Sequence, residues 1–236
     1  MYEYGEACPI SKAASVLCER WTLQILRELL LGATRFTELQ KLLPRISPSM
    51  LNARLKTLAD NDIIVRKRIP EQRGSEYRLT PAGKSLEPLL NEFGKWGICW
   101  VYDGLSDEEL SAAQCAQHFC GLVNQAGLPS GGTVIEIVFE DSKRMPRVFV
   151  TIRGAEREIC DDNPGHEVDV YVRSTVRTLT EIMLGDLGLN AALDNGALKV
   201  TGPTVYTKNL AKWFPVSGFA ADNPRLVAAG RNSRPV

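Results

Sequence analysis

Ser49, Asn52, Ala53 and Lys56 fall on one side of any helix formed by this stretch. Small side chains permit close approach to a second surface. An amide can pair with adenine through two hydrogen bonds, and a cation suits guanine or phosphate. That is the chemistry of reading a major groove. Ser47 stands just ahead of the group, and Arg35, Arg54 and Arg73 supply cations for phosphates or the minor groove. The alternative is a solvated surface helix, which usually carries more Glu/Lys pairs than this segment has.

Other reactive residues make no site of comparable quality. The six cysteines stand at 8, 18, 99, 115, 120 and 160, with no CxxC pair. Cys115, His118 and Cys120 lack finger spacing and a fourth ligand, so ordinary packing thiols are expected and no metal. His166 follows Pro164-Gly165, which places it in a surface turn despite Glu167 and Asp169 nearby. There is no Gly-rich phosphate loop, no GxSxG and no HExxH. The expectation is a protein that is not an enzyme and needs no cofactor. Cys8 has no basic neighbour closer than Lys12, and Glu6 would raise its pKa, so it reads first as a packing thiol.

The chain has 236 residues, 44% of them hydrophobic, with 28 Lys/Arg balancing 28 Asp/Glu. That excludes a chain disordered throughout and allows two domains. No apolar run reaches the ~18 residues of a membrane span. The first residues carry acids and no basic n-region, so a cytoplasmic protein is expected, without membrane contact. Charge is divided unevenly: residues 1–100 hold 15 basic against 11 acidic groups, and 20–84 hold 13 against 6. A basic N-terminal half suits a phosphate backbone.

The elements around Asn52 follow from spacing. Ala14, Leu17, Trp21, Ile25 and Leu29 form one stripe, which predicts a single helix from Ser11 to Leu31. Phe36, Leu39 and Leu43 predict a second, ended by Pro44. Ser47 as N-cap and Pro48 in the first turn open a third, with Leu51, Leu55 and Leu58 inward. The run from Ile63 to Ile69 and that from Glu76 to Thr80 predict a hairpin with Arg73 at its tip. Three helices and a hairpin is the order of a winged helix-turn-helix. A helix over Pro81–Val101 carries Leu86, Leu89, Leu90, Phe93, Trp96 and Trp100. So many apolar groups imply either pairing of two copies or packing against the C-terminal half.

With CPI near the start, ERWTLQILRELLLG, RFTELQKLLPRISPSMLNARLKTLADNDII and YRLTPAGKSLEPLL, the chain resembles the HxlR-type winged-helix transcriptional regulators over about residues 8–97. The resemblance implies a homodimer on double-stranded operator DNA, with a recognition helix at about 48–60 and a wing at about 63–80. It also implies a redox role for the cysteine of Cys8-Pro9, as in some relatives. One departure is Cys18-Glu19-Arg20-Trp21, where the family is glycine-rich; it is expected to alter the first helix's surface and not the reading motif.

In the C-terminal half, a helix is expected over Ser106–Gln125. Strands are expected over Val134–Phe139, Arg147–Ile152, Glu167–Val172 and Ala197–Thr201, and helices near Val176–Leu184 and Lys208–Phe214. The segment from EVDVYV to NLAKWFP, with Gly196-Ala197-Leu198-Lys199-Val200-Thr201-Gly202, resembles the sterol-carrier-protein fold over about 134–216. It implies a tunnel for a hydrophobic small molecule, lined by Ile137, Phe139, Val150, Val170, Leu179, Met183, Trp213 and Phe214. Periodicity alone does not separate such a tunnel from a filled core.

The expected fold class is α+β. A winged helix-turn-helix domain (1–101) precedes an α/β sandwich (102–220) and a tail (221–236). The leading function is a DNA-binding regulator responding to an apolar ligand. The alternatives are a redox regulator acting through Cys8, or a lipid carrier whose winged helix docks a partner.

Overall fold

The computed structural model describes residues 7–68, 74–154, 156–163 and 165–225. The chain divides into two compact units, Met1–Leu90 and Asn91–Val236.

In the first unit, α1 (Pro9–Leu17) and α2 (Thr22–Leu30) replace the single expected helix. Trp21 separates them with φ +78°, a left-handed backbone that costs a bulky residue of order 1–3 kcal/mol. The apolar stripe is no guide here, because Leu17, Ile25 and Leu29 are buried on either side of the turn. Next come α3 (Phe36–Leu42) and α4 (Pro48–Asp60). The hairpin of β1 (Ile64–Arg68) and β2 (Ser75–Leu79) is antiparallel, with Lys67 opposite Glu76. A bridge from Arg35 to Glu76 adds a third short segment to it. The core joins Ile25, Leu26, Leu39, Leu51, Leu55, Leu58, Ile64 and Tyr77. The expected Pro81–Val101 helix is interrupted after α5 (Pro81–Lys84) and resumes as α6 (Glu87–Trp100). The Thr80 hydroxyl caps α5 through the Gly83 N–H and also donates to the Asp62 carbonyl.

The second unit is a five-stranded sheet covered on one side by helices. Its strands are β3 (Thr133–Phe139), β4 (Arg147–Arg153), β5 (Glu156–Cys160), β6 (Val170–Ser174) and β7 (Leu198–Thr201), in the order β5-β4-β3-β6-β7. Only β3 and β6 run parallel. The covering layer is α7 (Ala112–Leu122), α8 (Val176–Leu184), α9 (Leu189–Asp194), α10 (Thr204–Thr207) and α11 (Leu210–Trp213).

Local capping explains the departures from expectation. Ser106 donates from its N–H and hydroxyl to Glu109, closing a 3-10 turn, and Ser111 then caps α7. So α7 starts later than expected. Asp169 takes the Val134 N–H on its side chain, and β6 begins one residue on. The unexpected β5 brings Arg157 to the Cys120, Gly121 and Val123 carbonyls at the end of α7. Residues 221–225, assigned by sequence to a tail, include part of a 3-10 turn (Ala220–Asp222). Buried Asn223 bonds Leu184 and Asp186 there. The rest of that stretch, 226–236, lies outside the described residues. No helix among the described residues is long and apolar enough to cross a membrane.

Two glycines test this packing. A Cβ on Gly83 would sit 2.2 Å from the Ile63 carbonyl oxygen, whereas one on Gly97 meets nothing within 4 Å. In thermal unfolding, Gly83→Ala is expected to destabilise by about 1–3 kcal/mol. Gly97→Ala is expected to be neutral or stabilising by up to about 1 kcal/mol, as a helical glycine replaced by alanine.

Candidate nucleic-acid interface

Helix α4 is built with two unlike sides. Leu51, Leu55 and Leu58 are buried in the first unit's core. Ser49, Asn52, Ala53 and Lys56 are exposed on the other side. The helix begins where it does because Ser47 accepts the Met50 N–H at 3.2 Å and Pro48 occupies the first turn. The Ser47 and Ser49 hydroxyls lie 3.1 Å apart, and both residues are exposed. Lys56 is 3.7 Å from Asp60, an exposed pair worth little in water. Gln40 spans the α3–α4 turn by donating to the Ile46 carbonyl at 2.8 Å.

The remaining candidates are placed less uniformly. Arg35 is half-buried at the start of α3, where its N–H and that of Thr34 donate to Glu38. Arg54, expected from sequence at a phosphate or the minor groove, turns to Glu19 and the Arg20 carbonyl. Arg73 lies outside the described residues. Sequence reasoning passed over Arg66, Lys67 and Arg68 as contacts, yet all three are exposed on β1. Arg66 donates to the Ser75 hydroxyl across the hairpin. The basic run within the expected wing is their signal in the sequence.

Cys8 is half-buried and is the N-cap residue of α1. The backbone N–H groups of Ser11 and Ile10, then the Ser11 hydroxyl, lower its thiol pKa. A tally of charged neighbours misses this because the donors are main-chain groups. Cys115 and Cys120 behave oppositely: burial pushes their thiols up to about 12 and about 11. Among the described residues no group of three His, Cys, Asp or Glu side chains is arranged to hold a metal ion.

In the second unit, Ile137, Phe139, Val150, Val170, Leu179, Met183, Trp213 and Phe214 all belong to one buried cluster. Phe119 meets Phe214 edge-on at 5.6 Å, and the Trp213 indole N–H donates to the Tyr206 carbonyl. A separate surface cavity of about 220 Å³, bordered by Gln125, Leu128, Ser130, Thr133, Ile152 and Gly154, includes none of those eight.

A family model described as HxlR-like helix-turn-helix matches residues 16–104. The HTH-type transcriptional regulator YvaP of Bacillus subtilis is 41% identical over 99 residues, covering 41% of this chain and 92% of YvaP. The regulator YodB of the same organism is 36% identical over 106 residues, covering 43% and 95%. The solved reduced form of YodB aligns with a TM-score of 0.38 and 34% identity, over 42% of this chain and all of that one. These relatives are matched over nearly their whole length, and the chain belongs to the HxlR-like helix-turn-helix family.

Proposed function

We propose that this protein is a transcription regulator, without enzymatic activity, that binds operator DNA as a homodimer through α4 and the β1–β2 wing. The observation that carries the reading is the outer side of α4, where Ser49, Asn52, Ala53 and Lys56 are exposed opposite three buried leucines. Asn52 offers bidentate pairing to adenine, and Ser47 and Ser49 offer hydroxyls at the helix start. Lys56, Arg66, Lys67 and Arg68 provide charge for phosphates. Arg35 and Arg73 flank this surface in sequence and complete the proposed contacts.

A duplex enriched from a random pool by the parent protein is the probe. Asn52→Ala is expected to lose about 1–3 kcal/mol of discrimination at one position with the fold intact. Lys56→Ala is expected to weaken all duplexes alike and to reduce the salt slope by about 1. Unchanged discrimination in the first variant would remove Asn52 from the reading surface.

Pairing of two copies is proposed through α6. Leu89, Phe93, Trp96 and Trp100 are 53%, 62%, 57% and 77% exposed at steps of three and four along it. The second unit is proposed as a sterol-carrier-like module for an apolar ligand, from its element order β6-α8-α9-β7-α10-α11. A ligand among Ile137, Phe139 and Trp213 would have to part a packed layer. Native mass spectrometry reads both proposals together. The expected result is a dimer carrying retained mass, with Trp96→Glu giving monomer. A monomeric parent overturns the pairing, and a clean dimer overturns the retained ligand.

A second reading, oxidant sensing through Cys8, is favoured by the thiol's place at the start of α1. Its thiolate would attack a peroxide oxygen, break the O–O bond and form a sulfenic acid with release of hydroxide. A lowered pKa means more thiolate at neutral pH. Alkylation of Cys8 is therefore expected to reach half its maximal rate at a lower pH than alkylation of an ordinary thiol. Cys115 and Cys120 should react far more slowly. A Cys8 midpoint at or above that of an ordinary thiol ends this reading.

A further inference from the structure

The turn between α1 and α2 reaches the reading helix. Glu19 and Arg20 stand immediately before left-handed Trp21. Arg54 of α4 crosses to both. Its Nη1 lies 2.5 Å from a Glu19 carboxylate oxygen, and its Nε donates to the Arg20 carbonyl at 2.9 Å. Both charged side chains are largely withdrawn from solvent, with 15% of Arg54 and 25% of Glu19 exposed. The Arg20 guanidinium in turn lies over the Trp21 ring, 5.3 Å from its centroid.

Position on the helix adds the decisive constraint. At 3.6 residues per turn, Arg54 points roughly 150° away from the middle of the Ser49–Asn52–Lys56 side. A side chain so placed cannot enter the same groove as Asn52. The three leucines lie beyond Arg54, roughly 70° further round the helix and away from the Asn52 side, and hold α4 there. Arg54 fastens the next flank, so the helix is fixed against rolling about its leucine seam. A planar guanidinium suits this task, because two of its edges bond partners in set directions, which an ammonium does not do.

We propose that Arg54 is a positioning residue for the reading surface, acting through Glu19 and the Arg20 carbonyl and not through a DNA phosphate. The proposal rests on the DNA-binding reading above. It also gives a role to Glu19, the acid standing where the resembled family is glycine-rich. Base recognition tolerates errors of only about 0.5 Å and 10–20° in its side chains, so a small roll of α4 is sufficient to lose it.

The test uses the full chain, a duplex enriched by the parent and a shuffled duplex. Glu19→Gln, Arg54→Met and Arg54→Lys are each expected to cut the preference between the duplexes about tenfold, the scale of one lost bidentate base contact. The double variant E19Q/R54M should be no worse than the poorer single, since both changes remove one clamp. The salt slope should stay at the parent's value. Hydrogen exchange of the α4 amides, measured without DNA, should rise in E19Q and R54M while thermal unfolding remains cooperative. A phosphate contact would give another pattern: R54M reducing the slope by about 0.9, R54K restoring affinity, and E19Q retaining the preference. That pattern overturns the proposal. Unchanged α4 exchange in E19Q overturns the clamp itself, and failure of the parent to enrich any duplex overturns the DNA reading beneath it.

Discussion

The burial of Leu51, Leu55 and Leu58 governs what the first unit can present. Each is at most 2% exposed, and together they consume one side of α4. Truncating such a residue typically costs about 2–5 kcal/mol, so the helix is not free to exchange its inner and outer sides. The chemistry of Asn52 and Lys56 is available because that seam is filled. The rest of the unit serves the same end. Gln40 closes the α3–α4 turn, Ser47 sets the first residue of the helix, and Ile64 and Tyr77 bring the hairpin onto the same core.

What was legible in the sequence was what short-range spacing determines. Leu51, Leu55 and Leu58 identify the inner side of α4, and Ser47-Pro48 identifies its start; both are local signals. The break at Trp21 was not legible. The stripe of Ala14, Leu17, Trp21, Ile25 and Leu29 keeps helical spacing through a residue whose backbone is left-handed. The residue just before it is held by a bond from Arg54 to the Arg20 carbonyl, and that partner is distant in sequence. The contacts of Arg54 were hidden for the same reason. Its charge suggests a phosphate or the minor groove, and only the fold reveals Glu19. Strand β5 was missed because Glu156, Arg157 and Glu158 are all exposed on an edge strand, leaving no apolar alternation to find.

In the second unit, apolar pattern correctly gathered Ile137, Val150, Val170 and Trp213 on one side of the sheet. It does not report whether the space between them is occupied. Contacts such as Phe119 against Phe214, and the Tyr206 carbonyl on the Trp213 indole, describe a layer fastened by directional bonds as well as by burial. The end of the described chain is fastened too. Asp186 receives the Tyr102 hydroxyl and the Asn223 amide, and the Arg225 guanidinium lies over the Tyr102 ring. Burial and the Asp186 carboxylate hold the Tyr102 hydroxyl well above its ordinary pKa, so it remains a donor in this cluster. A polar run such as Asp222-Asn223-Pro224-Arg225 looks like a tail in sequence, because its partners lie about 40 and 120 residues away.

Charge counting needs the same correction. The excess of 13 basic over 6 acidic groups in residues 20–84 suggested a broadly cationic surface. Several of those cations are committed within the fold: Arg27 to buried Glu28, Arg54 to Glu19, and Arg78 to Glu76. An ion pair made inside the protein releases no counterion from DNA, so such groups contribute little to a salt-dependent affinity. Lys56 and the exposed run Arg66, Lys67 and Arg68 remain on α4 and β1. The usable field is therefore smaller than the sequence total, and Lys56, Arg66, Lys67 and Arg68 place part of it on α4 and β1. In general, contacts to phosphates position a protein on a duplex and contacts to base edges carry sequence information, so charge and small polar groups are separate resources of this unit.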